Sequence, residues 1–213
     1  MRRIMHKLSL KKIFLLVMVI LPLSVWASPA SEQLTTILTN LHTMQAQFNQ
    51  VVQDGHGQIL QQSSGQMALS RPGKFRWDTQ KPSHQLLIAD GQKIWFYDQE
   101  LQQVTLQNQH KAHSSSPAML LDGSTTSLTK DFIVNSVANS GSVQTYKLTP
   151  RSKNSLFQLV YLSFKQNQLQ QMRLLDNLGQ ETIVNFSQVK TNASLGNNLF
   201  RFVAPKGVDV VTQ

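Results

Sequence analysis

The stretch Arg71-Pro72-Gly73-Lys74-Phe75-Arg76-Trp77-Asp78 holds a chain reversal and the start of a strand. Pro beside Gly supplies one fixed and one free backbone angle, the pairing that turns a chain. The alternation that follows places Phe75 and Trp77 on one face and Lys74, Arg76 and Asp78 on the other. A strand apolar on one side and charged on the other is half-buried in an antiparallel sheet. Working outward, short β-like runs recur at 65–70, 74–78, 85–89, 93–97, 102–106, 132–137, 145–148, 156–164, 169–175 and 180–186. Asp90-Gly91, Lys165-Gln166-Asn167 and Asp176-Asn177-Leu178-Gly179 punctuate them as hairpin turns do. Many short strands at close spacing predict a mainly β protein, one antiparallel meander rolled into a barrel or sandwich.

Two segments depart from that pattern. Over 31–48, Leu34, Ile37, Leu38, Leu41, Met44 and Phe48 recur every three or four residues, which predicts an amphipathic helix capped by Ser31, with Glu32 in its first turn. Its apolar stripe needs a platform, and the sheet is the one available. The polar, serine-rich stretch 108–130 carries Pro117-Ala118-Met119-Leu120-Leu121 between Ser116 and Asp122-Gly123, the asymmetry of a short helix. An apolar turn inside a long loop is expected to close over something as a lid. The runs 93–98 and 156–164 are apolar on both faces, so they are covered on both sides. A filled core under a helix and a hollow apolar cavity both satisfy that pattern.

The amino terminus is read separately. Residues 1–12 carry Arg2, Arg3, Lys7, Lys11 and Lys12 with no acid, and 13–26 form an apolar run too short to span a bilayer comfortably. Val25-Trp26-Ala27 ends it in the manner of a cleavage site, so 1–27 reads as a secretory signal peptide and 28–213 as a single exported domain. Removing those five basic residues from the 20 Lys and Arg leaves 15 against 11 Asp and Glu, a net of +4. The excess charge belongs mostly to the signal, and no nucleic-acid partner is implied. The chain has no cysteine, which excludes disulfides, thiolate metal sites, a cysteine nucleophile and anchoring through a lipidated cysteine. His42, His56, His84, His110 and His113 lie in surroundings rich in Gln and Ser, the His110 and His113 pair has no nearby carboxylate, and no nucleophile motif, metalloprotease motif or phosphate-binding glycine loop is present. Neither an enzyme nor a cofactor nor a bound metal is expected.

The motif at Arg71 to Trp77 resembles the LolA family of periplasmic lipoprotein carriers. The resemblance extends along the chain through Phe48-x-Gln50, Gly65, Pro82, Asp90-Gly91, Trp95-x-Tyr97-Asp98, Pro117-x-Met119-Leu120, Leu148-x-Pro150, Asp176-x-x-Gly179-Gln180 and Phe200-x-Phe202-x-x-Pro205-x-Gly207. It implies an unclosed antiparallel β-barrel with an N-terminal helix and short lid helices over a hydrophobic cavity. The cavity would take the acyl chains of outer-membrane lipoproteins. It implies too a monomeric carrier loaded by the ATP-driven inner-membrane complex LolCDE and unloaded to the outer-membrane receptor LolB. By the same resemblance Arg71 latches the lid through hydrogen bonds to its backbone, and Phe75, Trp77, Leu87, Trp95, Tyr97, Met119, Leu120 and Leu121 form the cavity and its cover. Asp122-Gly123 after the lid helix departs modestly from the family pattern and leaves the length and orientation of a second lid segment, 124–131, open. The alternatives are a lipid-sensing periplasmic regulator on the same lidded barrel and, less consistent with the residues, a hydrolase of acylated substrates.

Overall fold

Leu34 and Leu38, one helical turn apart, are buried on the underside of helix α1 (Ala30–Thr39). The helix starts at Ala30 behind Pro29, whose side chain offers no cap, rather than at Ser31, and Glu32 sits in its first turn where the helix dipole favours an acid. In the computed structural model the described residues are 29–109, 121, 128 and 130–213, without the side chains of 138–140. The expected signal peptide, the turn 117–120 with Met119 and Leu120, His110 and His113 lie outside them.

The helix ends well short of the expected 31–48. Thr43–Gln53 is instead strand β1, on which Met44, Ala46 and Phe48 are buried in alternation. After it come β2 (Ile59–Ser70), β3 (Lys74–Lys81), β4 (Gln85–Asp90), β5 (Lys93–Asp98) and β6 (Gln103–Asn108). The second half comprises β7 (Phe132–Ser140), β8 (Val143–Pro150), β9 (Phe157–Lys165), β10 (Gln168–Asp176), β11 (Glu181–Thr191) and a short β12 (Asp209–Thr212). All belong to one sheet ordered β12-β6-β5-β4-β3-β2-β1-β11-β10-β9-β8-β7. The two halves join where β1 pairs antiparallel with β11, and the outermost strands, β12 and β7, do not pair with each other, so the barrel is unclosed. Among these strands only β12, which the sequence pattern did not single out, runs parallel to its neighbour, β6.

The sheet has two differently covered faces. On the inner face α1 joins Phe48, Met67, Leu69, Phe75, Leu121, Leu162, Met172 and Val184 in one apolar cluster. On the outer face Leu86, Ile88, Tyr97 and Val104 make a second, smaller cluster, capped by Phe202, Ala204 and Val208 of the segment leading to β12. The charged face of β3 lies on this outer side. Arg76 pairs with Asp78 at 2.6 Å, and Lys74 donates to Asn197 in the short 3-10 turn Asn197–Phe200.

Gly65 marks a close approach between β2 and β3. It faces Thr79 beside an irregularity in the β2–β3 register, and a Cβ there would lie 1.9 Å from the Asp78 carbonyl oxygen. Across β1, Phe48 stands opposite this glycine, and its ring lies against Trp77.

Candidate functional site

Arg71 follows the last residue of β2, and its backbone N–H donates to the His42 carbonyl at 2.8 Å, which holds it beside the C-terminus of α1. From there its guanidinium reaches two elements. Nη1 donates to the Leu38 carbonyl in the last turn of α1 at 3.1 Å, and Nε and Nη2 both donate to the Leu121 carbonyl, Nε at 3.0 Å. A planar fork of donors can span two acceptors at once, which a lysine cannot match. The positive charge also lies at the negative end of the helix dipole.

Asn192, which the sequence reading missed, fixes the same corner from the other side. Its Oδ1 accepts from the His42 N–H at 2.9 Å and its Nδ2 donates to the Asn40 carbonyl at 2.8 Å. With φ at 57° it sits in the left-handed region that asparagine tolerates. It follows β11 directly, which runs on to Thr191, past the expected end at 186. At the N-terminal part of α1, Gln33 accepts from Gln144 at 3.0 Å, with the buried Tyr146 hydroxyl at 3.5 Å. Burial raises the pKa of that phenol. Both ends of the helix are therefore tied to the sheet.

Beyond α1 the inner face opens into a cavity of about 540 Å3 bounded by β1 to β6 and β11. Trp77 and Leu87, neighbours across the β3–β4 register, line it with Ile94 and Phe96. Trp77 is held at the centre, stacked on Phe48 at 3.9 Å between ring centroids, 6.0 Å from Phe75 and edge-on to Phe186 at 6.4 Å. Such aromatic pairs add to what burial alone contributes.

The expected cavity residues divide among three places. Trp77 and Leu87 line the open space, whereas Phe75 and Leu121 are on the inner side but fully covered within the apolar cluster that includes α1. Trp95 and Tyr97 were expected at the cavity and are not there. They project from the outer face onto Phe202, with centroids at 5.6 and 5.9 Å, while the residues between and before them, Phe96 and Ile94, take the inner face. In Ile94-Trp95-Phe96-Tyr97 every position is apolar, so alternation shows that the two sets part without showing which faces in. The outer position of Trp95 is fixed by Asp90, whose carboxylate accepts from the indole N–H at 3.4 Å. Among the described residues no group of three His, Asp or Glu side chains is placed to hold a metal ion.

A helix pinned over one end of an unclosed barrel, with an arginine bridging it to Leu121 and a cavity of mixed apolar and polar lining beyond, is a container with a fastened corner. The sequence model of the family described as outer membrane lipoprotein carrier protein LolA matches residues 39–203. The chain belongs to the LolA family. Among LolA-family relatives, the outer-membrane lipoprotein carrier protein of Legionella pneumophila (strain Corby) is 42% identical over 204 residues, 96% of this chain and 100% of that one. The outer-membrane lipoprotein carrier protein of Coxiella burnetii (strain CbuK_Q154) is 40% identical over 187 residues, 87% of this chain and 88% of that one. The crystal structure of an uncharacterized conserved protein from Thermus thermophilus shares the fold, with a TM-score of 0.56 at 17% identity over 86% of this chain and 99% of that one.

Proposed function

We propose that this LolA-family protein is a periplasmic chaperone that shelters the acyl chains of outer-membrane lipoproteins and carries them to an outer-membrane receptor. Residues 1–27 act as its export signal and 28–213 as the single carrier domain, working as a monomer. The observation that carries the reading is the Arg71 fork, which joins Leu38 and Leu121 over the inner apolar face. Arg71 is the latch, and Met119, Leu120 and Leu121 belong to the cover. Trp77 and Leu87 meet the chains in the cavity, and Phe75 meets them once Leu121 moves aside.

The energetics favour a carrier that never releases its load into water. Burial contributes about 0.8 kcal/mol per methylene, so several long chains amount to tens of kcal/mol, whereas non-covalent affinities saturate at about −18 to −21 kcal/mol. Cargo therefore passes directly from one protein to the next. With no nucleotide-binding loop in the chain, loading draws on the ATP-driven LolCDE complex, and unloading to LolB runs downhill without nucleotide. Native mass spectrometry of the protein taken from periplasm tests the reading. The expected species is one protein chain with one intact acylated lipoprotein. Recovery with free lipid alone would favour the sensor reading and overturn the carrier.

A further inference from the structure

The inner face changes character along each strand. Starting at the α1 end, β2 presents Leu69, Met67 and Gly65 and then Ser63 and Gln61, β3 presents Phe75 and Trp77 and then Thr79, and β11 presents Phe186 and Val184 and then Thr182. On β1 Phe48 gives way to Gln50, which faces Ser63 across the ladder. The far end of the cavity is thus polar, and among the described residues that line it none has a charged side chain.

Ser63 is 9% exposed, yet among the described residues its hydroxyl has no hydrogen-bond partner, and neither do the side chains of Gln50, Gln61, Thr79 and Thr182. Ser63 is the buried one of these, and a buried hydroxyl left without a partner costs free energy. The half-buried Gln50, Thr79 and Thr182 and the exposed Gln61 beside it add donors and acceptors that a guest can take over from water. The chemistry of the guest follows from theirs. Amides and hydroxyls donate to neutral carbonyl oxygens and accept from neutral N–H groups. A phosphate or carboxylate would call for Arg or Lys, and these residues supply neither.

We infer that this end binds the uncharged linkage of the cargo, the two ester carbonyls and the amide of an acylated cysteine, while the alkyl chains run from it toward Trp77 and Phe48. The inference rests on the carrier reading above and adds to it a reason for choosing acylated cysteine over phospholipid of the same chain length. Apolar burial and the two ester carbonyls are common to both; what separates them is the amide, which the phospholipid lacks, and the phosphate, for which the lining holds no Arg or Lys.

The test measures displacement of pyrene-hexadecane from the full-length protein by three competitors in one non-ionic detergent. They are a tripalmitoylated cysteinyl peptide, its dialkyl ether analogue lacking the two ester carbonyls, and dipalmitoyl phosphatidylglycerol. The ester peptide is expected to compete about tenfold better than the ether, the loss of two neutral hydrogen bonds, and better than the phospholipid. The near-isosteric Ser63→Ala and Thr79→Val, together with Gln50→Leu, are expected to narrow the ester-to-ether ratio. Equal competition by ester and ether, equal competition by the phospholipid, or a ratio unmoved in all three variants would overturn the inference while leaving the carrier reading intact. If neither peptide displaced the probe, the carrier reading itself would fall, and this one with it.

Discussion

Replacing Arg71 by leucine removes the donors that the Leu38 and Leu121 carbonyls share. Hydrogen bonds to a charged group contribute about 1.5–3 kcal/mol each. Because Arg71 is only half-buried and lifting the cover admits water to both carbonyls, the lower figure applies to each acceptor. Two acceptors give about 3 kcal/mol, which moves the balance between fastened and unfastened forms by roughly a hundredfold. Arg71→Lys keeps the charge near the end of α1 but reaches one carbonyl rather than two, so roughly half the free energy and about a tenfold shift are expected. Hydrogen exchange followed by mass spectrometry reads this directly, through peptides containing Leu121 and Leu38. The consequence for delivery is directional. Opening an empty carrier breaks these bonds and offsets part of the gain from enclosing acyl chains. Arg71→Leu should therefore take up cargo, hold it more tightly and deliver it more slowly to the receptor. Exchange at Leu121 no faster than in the parent, together with delivery at the parent rate, would refute the latch.

Three further expectations follow from the same geometry. Gly65→Ala puts a methyl group against the Asp78 carbonyl at 1.9 Å, backbone against side chain with no flexible end to yield. It should cost about 3 kcal/mol, and an unchanged urea midpoint would show that β2 and β3 part freely there. Acyl chains brominated near their middle should quench Trp77, which lines the cavity, and spare Trp95, on the outer face. Single-tryptophan variants separate the two, and stronger quenching of Trp95 would reverse the assignment of faces. Asp90 and Asp98 both titrate below the ordinary carboxylate range. At Asp90 the effect of burial, which raises the pKa, is outweighed by the backbone N–H groups of Lys93 and Gln92, the Trp95 indole and the Lys93 charge. At Asp98 the Leu101 N–H, the Gln85 amide and the Glu100 N–H lower it against a smaller opposing effect of burial. The stabilisation from a lowered carboxylate is complete above the unfolded value of about 3.9 and is lost as pH falls through the folded value. Stability should therefore drop from about pH 4 downward. Asp98→Asn should flatten that acid limb as read by thermal unfolding against pH, and an identical limb would exclude the turn carboxylate as a source.

What the sequence disclosed depended on whether one period or two fitted the residues. In Lys74-Phe75-Arg76-Trp77-Asp78 charge and apolar character alternate, only the strand period fits, and both the strand and its faces were legible. Met44 and Phe48 are four apart, which is about one turn of helix but also two full strand repeats, so the apolar stripe of α1 ran on without a break into β1. The residue that decides is Ala46, buried between them, where a helix would have turned it away. Trp95 and Tyr97 failed for the opposite reason. The strand was recognised, but the outer face is itself apolar there, because Phe202 arrives more than a hundred residues later in the chain to cover it. Arg71 was singled out through the family motif rather than by its own chemistry, since a cation before a turn gives no sign of the two carbonyls that the fold brings to it.

The unpaired outer strands have a mechanical consequence. In a closed barrel, strand number and stagger dictate the girth, and a wider guest must break ladder bonds. Here the β12 and β7 margins are not paired with each other, so no such closure condition applies. The width is set instead by the twist between neighbours, a soft coordinate. Small changes at each of the eleven pairings add up to a large displacement of the two margins, with every backbone bond intact. The container can thus take its gauge from its contents, and one carrier can serve loads whose chains differ in length by flexing a spring rather than by rebuilding a wall.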